Sequence, residues 1–448
     1  MTTMGGGQVL QRQIASRVRA RLILPCIFFM LMSSLDRANL SFAAARMNAD
    51  LGFSPSQYGF GAGVLFVGFL AGQYPSVWLF QRFGMRRWLA GCALLWGTCA
   101  AAMAWIDSPQ QFYVLRVLLG FAEGGLAPGI VLYLSQFATD RERATTFALP
   151  MLAIPLSIVI GGPLSGWLLG MDPAPTLSGW RWMFLAEAVP TVLLGVAALA
   201  WFPDTPAEAR WLAPAQRDWL AEHAARRVRP GADRAASDWR SLVEPLGEPL
   251  VWLSGLLWFC LLSGAYGLIF WLPQVIASLT DLNSLQIGFV GALPWVGVAL
   301  GMAFNSAHSD RTGERYWHVA LPALLAAFAL LAAWLQGPGF VALVALLLVG
   351  LGLGSAQGAF WALPTALLQP AALTVSVVTI NIAGSAGGLV MPHLMGYARE
   401  RSGDYTAPTL LVVAVLLFAA LLVAVISRIP AAPAVRRSPE SASAPPAR

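Results

Sequence analysis

The sequence predicts an all-α membrane protein of twelve transmembrane helices in two bundles of six. Of its 448 residues, 57% are apolar and 11% are charged, whereas soluble domains carry about 25% charged residues. Apolar stretches of about 20 residues recur along the chain, and each is long enough to cross a hydrocarbon core of about 30 Å. One long polar interval divides these stretches into two sets. A soluble fold is therefore excluded.

The predicted helices are α1 to α12 in chain order. They cover residues 22–43, 58–80, 88–106, 112–136, 143–170 and 181–202, then 249–276, 285–307, 317–335, 339–362, 373–397 and 408–427. We expect an N-terminal bundle over 1–202, a cytoplasmic linker over 203–248, a C-terminal bundle over 249–427 and a disordered cytoplasmic tail over 428–448. In the linker, Pro214 can open a short helix. That helix is either solvated or sets Trp211, Trp219 and Leu220 against the membrane interface.

The positive charge lies mainly on one side of the predicted bundle. All 28 basic residues are arginine, and about 22 of them fall in segments on one side, which predicts that this side is cytoplasmic. Both termini are then cytoplasmic, as an even helix count requires, and we expect a multi-pass protein of the bacterial inner membrane. The net charge of +6 does not indicate nucleic-acid binding, because no soluble domain presents a basic surface.

Four cysteines lie within apolar stretches, where they behave as small hydrophobic residues. They are Cys26, Cys92, Cys99 and Cys260, and none has a paired or metal-ligand spacing. We expect neither a disulfide framework, nor a metal, nor a cofactor. The basic N-terminus and first apolar run resemble a signal peptide, but Asp36 and Arg37 interrupt the run before any cleavage site, so α1 is interpreted as uncleaved.

Two segments repeat at the same place in each half. The loop after α2 reads Gln81–Arg87 and the loop after α8 reads Asp310–Arg315; α5 and α11 are both rich in glycine. Self-similar halves are typical of transporters whose site lies between the repeats. The loops supply the candidate conformational residues Arg82, Gly84, Arg86, Asp310, Arg311, Gly313 and Arg315.

Four ionisable residues stand out inside the predicted spans of the first half: Asp36 and Arg37 in α1, Arg116 and Glu123 in α4. Each costs roughly 2.5 to 3.5 kcal/mol at the bilayer centre, so such residues face a cavity or one another. Arg116 and Glu123 share one face but lie roughly 10 Å apart. We therefore expect Arg116 to lie near Asp36 and Arg37 near a bound anion. The alternative is an ion-pair network that only locks α1 to α4.

These residue types suit a carboxylate and a proton. The planar guanidinium of Arg37 can hold both oxygens of a carboxylate. Asp36 and Glu123 can each bind and release a proton, because burial raises the pKa of a carboxyl whereas a nearby arginine lowers it. Further candidate substrate contacts are Asn39 in α1, Tyr266 and Gln274 in α7, Trp361 in α10 and Asn381 in α11.

The chain resembles the anion:cation symporter family of the major facilitator superfamily from α1 to α12. The segments that show the resemblance are Leu35–Ala43, Pro75–Ser76 with Arg82–Gly84, Arg116–Gly125 with Pro128–Gly129, and Gly161–Trp167. The last of these is similar to tartrate and related carboxylate transporters. The resemblance implies that Asp36 and Glu123 are protonation sites and Arg37 is the substrate anchor, with Arg116, Trp361 and Asn381 matching further family positions. The family loop has an acid before its arginine, where this chain has Gln81.

The favoured interpretation is a proton-coupled, monomeric importer of a small organic carboxylate that works by alternating access. Tartrate, aromatic acids and sugar acids all remain open as substrates, as does sodium coupling. The competing hypotheses are a proton-driven exporter of organic compounds and a non-transporting sensor with the same fold. A membrane enzyme is disfavoured, because the spans hold no clustered metal ligands and no nucleophile with an evident base.

Overall fold

The computed structural model describes residues 6–139, 142–171, 177–227, 244–368 and 373–429, and these ranges are almost entirely helical. Eleven described segments are long and apolar enough to cross a membrane, and one of them, Pro55–Trp105, has 51 residues. That segment is about twice the length of one crossing. It breaks at Gly84, whose backbone has φ 79° and ψ 170°. The break divides it into two crossings and makes twelve in total, as predicted.

The two arms of this segment run back along each other. Tyr58 and Ala62 on the first arm lie in the same buried cluster as Cys99 and Met103 on the second. We call the arm before Gly84 α2 and the arm after it α3. The sequence therefore encodes a helical hairpin in which one glycine replaces a loop, since glycine adopts positive φ at no steric cost.

The observed helices extend beyond most of the predicted spans. Their bounds are Leu24–Leu51 for α1, the two arms of Pro55–Ala102 for α2 and α3, Pro109–Glu123 and Leu126–Ser135 for α4, Arg143–Met151 and Ala153–Leu169 for α5, Gly179–Trp201 for α6, Pro249–Leu279 for α7, Ser284–Thr312 for α8, Trp317–Gln336 for α9, Phe340–Phe360 and Ala362–Leu367 for α10, Leu373–Ser402 for α11 and Thr406–Ile426 for α12. A helix Gly6–Val18 and a π-helical turn Arg19–Ile23 precede α1.

The equivalent helices α2 and α8 begin with the same capping device. Ser54 accepts a hydrogen bond from the backbone of Gln57, whose side chain accepts one from the backbone of Ser54. Asn283 and Gln286 do the same at the start of α8. Such a box satisfies two of the otherwise unpaired amides at a helix start. It extends the repeat between halves beyond the two loop motifs.

The two six-helix bundles meet mainly along α2 with α11, α5 with α8 and α1 with α7. Glycines make these contacts close: a Cβ added to Gly59 would lie 2.4 Å from the Pro392 carbonyl oxygen, and one added to Gly288 would lie 2.2 Å from that of Gly162. These contacts lie toward the end that carries the α1–α2 and α7–α8 connections, which we call the closed end. Tyr58 also donates to the Phe270 carbonyl at 2.8 Å across the two bundles.

The predicted linker helix forms over Pro214–Arg227, but its apolar side packs on protein. Leu220 is buried in a cluster formed by the N-terminal bundle, with Trp211 and Trp219 packed against it. Arg17 donates to the Trp211 carbonyl at 3.2 Å. Neither a solvated helix nor one resting on the membrane describes this arrangement. The proposed domain boundaries remain predictions, and residues 228–243 of the linker and 430–448 of the tail lie outside the described residues.

Candidate functional site

The centre of the candidate site is an ion pair between α1 and α4. Arg37 Nη2 lies 2.9 Å from Glu123 Oε2, with side-chain exposures of 18% and 0%. Arg37 also donates to Ser33 Oγ at 3.3 Å. Glu123 is the last residue of the first α4 segment, at a place where Gly124 brings α4 against the backbone of Phe69. We predicted Arg37 beside an anion, and a carboxylate of the chain itself occupies that position.

The second bundle also contributes to this ion pair. Tyr266 of α7 reaches the surroundings of Arg37 through packed aromatic rings. Its ring packs edge-on against Phe66 of α2, with centroids 4.5 Å apart, and the Phe69 ring lies 5.4 Å from the guanidinium carbon. The aromatic residues around Arg37 therefore pack against a side chain of the second bundle.

Asp36 faces away from this group. Trp96 of α3 donates to Asp36 Oδ2 at 2.6 Å and Thr191 of α6 at 3.2 Å, and the residue is 2% exposed. The predicted neighbour Arg116 does not pair with it, so that expectation was wrong. Consecutive residues on a helix point about 100° apart, and Asp36 and Arg37 accordingly have different partners.

Arg116 anchors α4 to α2. It is 1% exposed and donates to the carbonyls of Gly61 and Ala62, both at 3.4 Å. Its guanidinium carbon lies 5.8 Å from the Phe270 ring of α7. Carbonyl dipoles and an aromatic face stabilise a cation less than a carboxylate does. Arg116 is thus a buried positive charge with no carboxylate hydrogen-bonded to it in the described part of the chain.

Sequence reasoning missed a third buried carboxyl, Glu187 of α6. It is 3% exposed, and it accepts hydrogen bonds from Asn39 of α1 at 2.8 Å and Ser165 of α5 at 2.7 Å. The criterion that found Asp36 and Glu123, an acid within an apolar span, also selects Glu187. Asn39 donates to this carboxyl through its amide nitrogen, and its contact with a substrate stays a prediction.

The remaining candidates in the second bundle lie in two places. Gln274 is buried, bonds the Phe270 carbonyl one turn back and lines a cavity of about 620 Å³ at the closed end. Trp361 stands where α10 is interrupted and packs against Trp258, with centroids 5.3 Å apart. Asn381 is half-buried on α11, one turn before a glycine that packs on the same Trp258. Tyr266 is the second-bundle candidate that joins the Arg37 group.

The first loop motif is bound to the segment that follows α6. The Arg86 amide donates to Asp204 Oδ1 at 2.9 Å, and its guanidinium donates to the Phe202 carbonyl at 2.9 Å and pairs with Glu208 at 3.3 Å. The Asp204 carboxylate also lies against Gly84, where a Cβ would meet it at 2.6 Å. Asp204 supplies an acid contact that Gln81 cannot. Arg82 lies over the Trp78 ring at 5.5 Å.

The second loop motif is self-contained. Gly313 ends α8 with φ 70°, and Arg315 pairs with Asp310 at 2.7 Å. Arg311 is exposed. Glu314 accepts hydrogen bonds from the backbone of Trp317 at the start of α9. The two loops are therefore alike in their glycine turn and differ in what holds them.

Comparison with known proteins places the chain in a family. The Major Facilitator Superfamily model matches residues 26–392. A protein of Agrobacterium vitis named "Putative tartrate transporter" is 38% identical over 419 residues, which cover 94% of this chain and 96% of that protein. A protein of Acinetobacter baumannii named "Quinolone resistance transporter" is 33% identical over 413 residues, which cover 92% and 94%.

A solved structure shows the same fold. It is the crystal structure of a bacterial homolog to the human lysosomal transporter Spinster, in an inward-facing and unoccupied conformation. The TM-score is 0.78 at 16% identity, over 92% of this chain and 97% of that one. With a family match over most of its length and transporters among its relatives, the chain belongs to the Major Facilitator Superfamily and is a membrane transporter.

Proposed function

We propose that this transporter imports a small organic carboxylate together with a proton by alternating access. The observation that carries the proposal is the ion pair of Arg37 with Glu123, 2.9 Å apart and next to the second bundle. The predicted distribution of arginines supports an inner-membrane orientation with both termini in the cytoplasm. In that orientation the closed end faces outward.

The ion pair links an anion to a proton by competition. A substrate carboxylate and the Glu123 carboxylate need the same Arg37 donors, and two anions on one guanidinium repel each other. A proton on Glu123 removes its charge and frees the guanidinium for the substrate. Proton and anion therefore bind together, which is the sign required for symport. If they competed, exchange would result.

The neighbourhood of Arg37 gives the substrate contacts from both bundles. Tyr266 offers a hydroxyl to a bound carboxylate, and Arg116 adds positive charge on the same face of α4 as Glu123. Occupancy of Arg37 thus changes contacts of α7 as well as α1 and α4. The tartrate transporter relative supports a hydroxylated dicarboxylate among the candidates; aromatic acids and sugar acids meet the same Arg37 requirement.

A second candidate is proton-driven export, favoured by the relative named for quinolone resistance. A cargo that carries a cationic amine would bind Glu123 in place of Arg37. It would then compete with a proton for the same carboxylate, and the result is antiport. Import therefore corresponds to an anionic cargo that binds Arg37, and export corresponds to a cationic cargo that binds Glu123.

The test is transport in liposomes under imposed proton gradients of either direction, with labelled tartrate, benzoate, gluconate and a fluoroquinolone. The variants are Arg37→Ala and Glu123→Gln. Arg401→Ala is the matched control, because Arg401 is an exposed arginine at the end of α11. We expect one carboxylate to accumulate only under an inward gradient in the native protein and in the control.

The variants separate the roles. Arg37→Ala should bind no carboxylate, and Glu123→Gln should exchange the carboxylate without concentrating it. Quinolone efflux that depends on Glu123 and not on Arg37 would establish the exporter instead. Binding of a carboxylate without accumulation in the native protein would establish a sensor. Normal uptake by both variants would refute the mechanism while leaving the family unchanged.

A further inference from the structure

Glu187 is a buried acid whose hydrogen-bond partners are all neutral. It accepts from the Asn39 amide at 2.8 Å and the Ser165 hydroxyl at 2.7 Å. Within the described residues, no basic nitrogen lies within the 4.0 Å ion-pair distance of Glu187 or of Asp36. Glu123, by contrast, has Arg37. The bundle thus holds two carboxyls whose charge nothing in contact neutralises, although a buried carboxylate without a cation is strongly unfavourable.

The two carboxyls are joined by paired contacts between α1 and α6. Asn39, one turn after Asp36, donates to Glu187; Thr191, one turn after Glu187, donates to Asp36 at 3.2 Å. Each of the two helices therefore contributes one carboxyl and one neutral donor to the contact. The two carboxyls stand on neighbouring contacts of the same helix pair, and two buried negative charges placed in this way repel each other. Such repulsion favours a state in which only one of them is ionised.

The charge count of the bundle interior points the same way. Asp36, Glu123 and Glu187 are three acids, and Arg37 and Arg116 are two bases, so full ionisation leaves one net negative charge. One proton held by Asp36 and Glu187 makes the set neutral. Asp36 Oδ1 and Asn39 Oδ1 are both buried acceptors without a donor. Unpaired buried acceptors are costly, and the cost of burying the Asp36 carboxyl is lower when it holds a proton.

We infer that Glu187 is a third proton-carrying residue of the transporter, which shares one proton with Asp36 across the α1–α6 contact. The inference rests on the proposed proton coupling. Glu123 then binds its proton together with the substrate at Arg37, while the Asp36 and Glu187 pair binds a proton on the opposite side of α1. A protonated Glu187 leaves Asp36 free to ionise without adding net charge to the bundle.

The other titratable groups on the packed helices do not replace this pairing. From α1, Arg37 is engaged by Glu123, and Arg46 donates to the Leu169 carbonyl near the closed end. On α3, Cys99 lies in the same buried cluster as Ala188 of α6. The sequence Ala153–Leu169 of α5 contains no titratable side chain. Asp36 is therefore the acid that shares the α1–α6 contact with Glu187.

The test is infrared titration of the protein in lipid, following the carbonyl stretch of protonated carboxyls. The variants are Glu187→Gln, Asp36→Asn and Ser165→Ala. Glutamine keeps the size of a protonated glutamate; its carbonyl oxygen can accept from the Asn39 amide, and its amide nitrogen can donate to the Ser165 hydroxyl. Ser157→Ala is the matched control, because Ser157 is a buried α5 serine that bonds only to its own helix at Ile154. Proton-driven uptake of labelled tartrate is measured on the same preparations.

The expected shifts have opposite signs. Glu187→Gln removes a neighbouring negative charge, so the midpoint of the Asp36 titration should move about one pH unit toward acid, and Asp36→Asn should do the same to Glu187. Ser165→Ala removes a hydrogen-bond donor to the ionised Glu187 carboxylate, so the midpoint of the Glu187 titration should move toward alkaline pH. Ser157→Ala should change nothing. A purely structural Glu187 would leave every midpoint in place.

Each outcome is decisive. If Glu187→Gln only removes a band that is constant at all pH values, the residue holds a permanent proton and the inference is overturned. Asp36→Asn reports on the same coupling if the Glu187→Gln substitution prevents folding. Coupled midpoints without proton-driven tartrate uptake would refute tartrate symport and leave the proton pair intact. Proton-driven tartrate uptake with independent Asp36 and Glu187 midpoints would refute the proton pair and leave tartrate symport intact.

Discussion

Replacing Gly288 by alanine should force the closed end of the transporter open. A Cβ at this position would lie 2.2 Å from the Gly162 carbonyl oxygen, 2.8 Å from its carbon and 3.1 Å from Pro163 Cα. Ordinary contact begins at 3.4 Å, so α5 and α8 must separate by about 1.2 Å, which is 3.4 minus 2.2. The atoms in the way are backbone atoms and cannot rotate aside.

The cost applies only to the conformation in which α5 and α8 touch. Overpacking of this kind costs roughly 1 to 3 kcal/mol, which lowers the ratio of closed to open molecules by roughly 5- to 150-fold. In the alternating-access scheme the alternative conformation separates these helices and does not bear the cost. The substitution should therefore change the conformational ratio more than it changes the stability of the fold.

Cysteine labelling measures the shift. Ser41 is 1% exposed and lines the closed-end cavity, so a Ser41→Cys variant without the four native cysteines reports opening there. A membrane-impermeant maleimide is applied from the side of the α1–α2 connection. Labelling should accelerate in Gly288→Ala. Gly291→Ala is the control, because its Cβ would meet the Phe42 ring at an acceptable 3.4 Å. Equal rates in both variants would refute the reasoning.

Two further predictions concern the loop motifs. Asp204→Ala removes the acceptor of the Arg86 amide and should lower the free energy of unfolding by about 1 to 2 kcal/mol. Melting in detergent against Asp218→Ala, on the exposed side of the linker helix, checks this, and equal melting temperatures would contradict it. Partial burial raises the pKa of Glu314, but hydrogen bonds from the α9 backbone and from His318 bring it below its ordinary value. Glu314→Gln should therefore destabilise the protein at neutral pH and lose its effect as the pH falls through that lowered pKa; a pH-independent difference in melting temperature would count against this.

The twelve crossings could be predicted because the signal is local. Each apolar stretch carries its own free energy of transfer into lipid, and the arginine distribution and repeated loops do not depend on the packing of the helices. The residues at which the helices end were less predictable. The helices continue past the apolar segments into polar residues, as α11 does to Ser402, because hydrogen bonding of the helix does not stop at the edge of the hydrocarbon.

The buried charges show the limit of local reasoning. Asp36, Arg37, Arg116 and Glu123 could be selected by their cost in lipid, and Glu187 should have been selected with them. Their partners could not be deduced. Arg37 reaches Glu123 across 86 positions and Asp36 reaches Thr191 across 155. The predicted contact of Arg116 with Asp36 failed because helix rotation, which hydropathy does not encode, turns them to different neighbours.

The linker shows a similar division. Pro214 marks the start of its helix correctly, since proline suits the first turn. That this helix packs on the N-terminal bundle, with Arg17 bonded to its Gln216, depends on residues nearly 200 positions away. Likewise, nothing near Gln81 in the chain indicates that Asp204 supplies the acid contact for the α2–α3 turn.

The sequence by itself determined that the chain lies in the membrane, that it has two similar halves, and that acids and arginines stand inside the first of them. Transfer free energy and repetition are properties of composition and spacing, so they can be read without coordinates. Only the tertiary structure decided that Arg37 pairs with Glu123, that Asp36 and Glu187 oppose each other through Asn39 and Thr191, and that glycines bring the bundles together at one end. Those contacts depend on the rotation and close approach of helices, which many weak packing contacts set together.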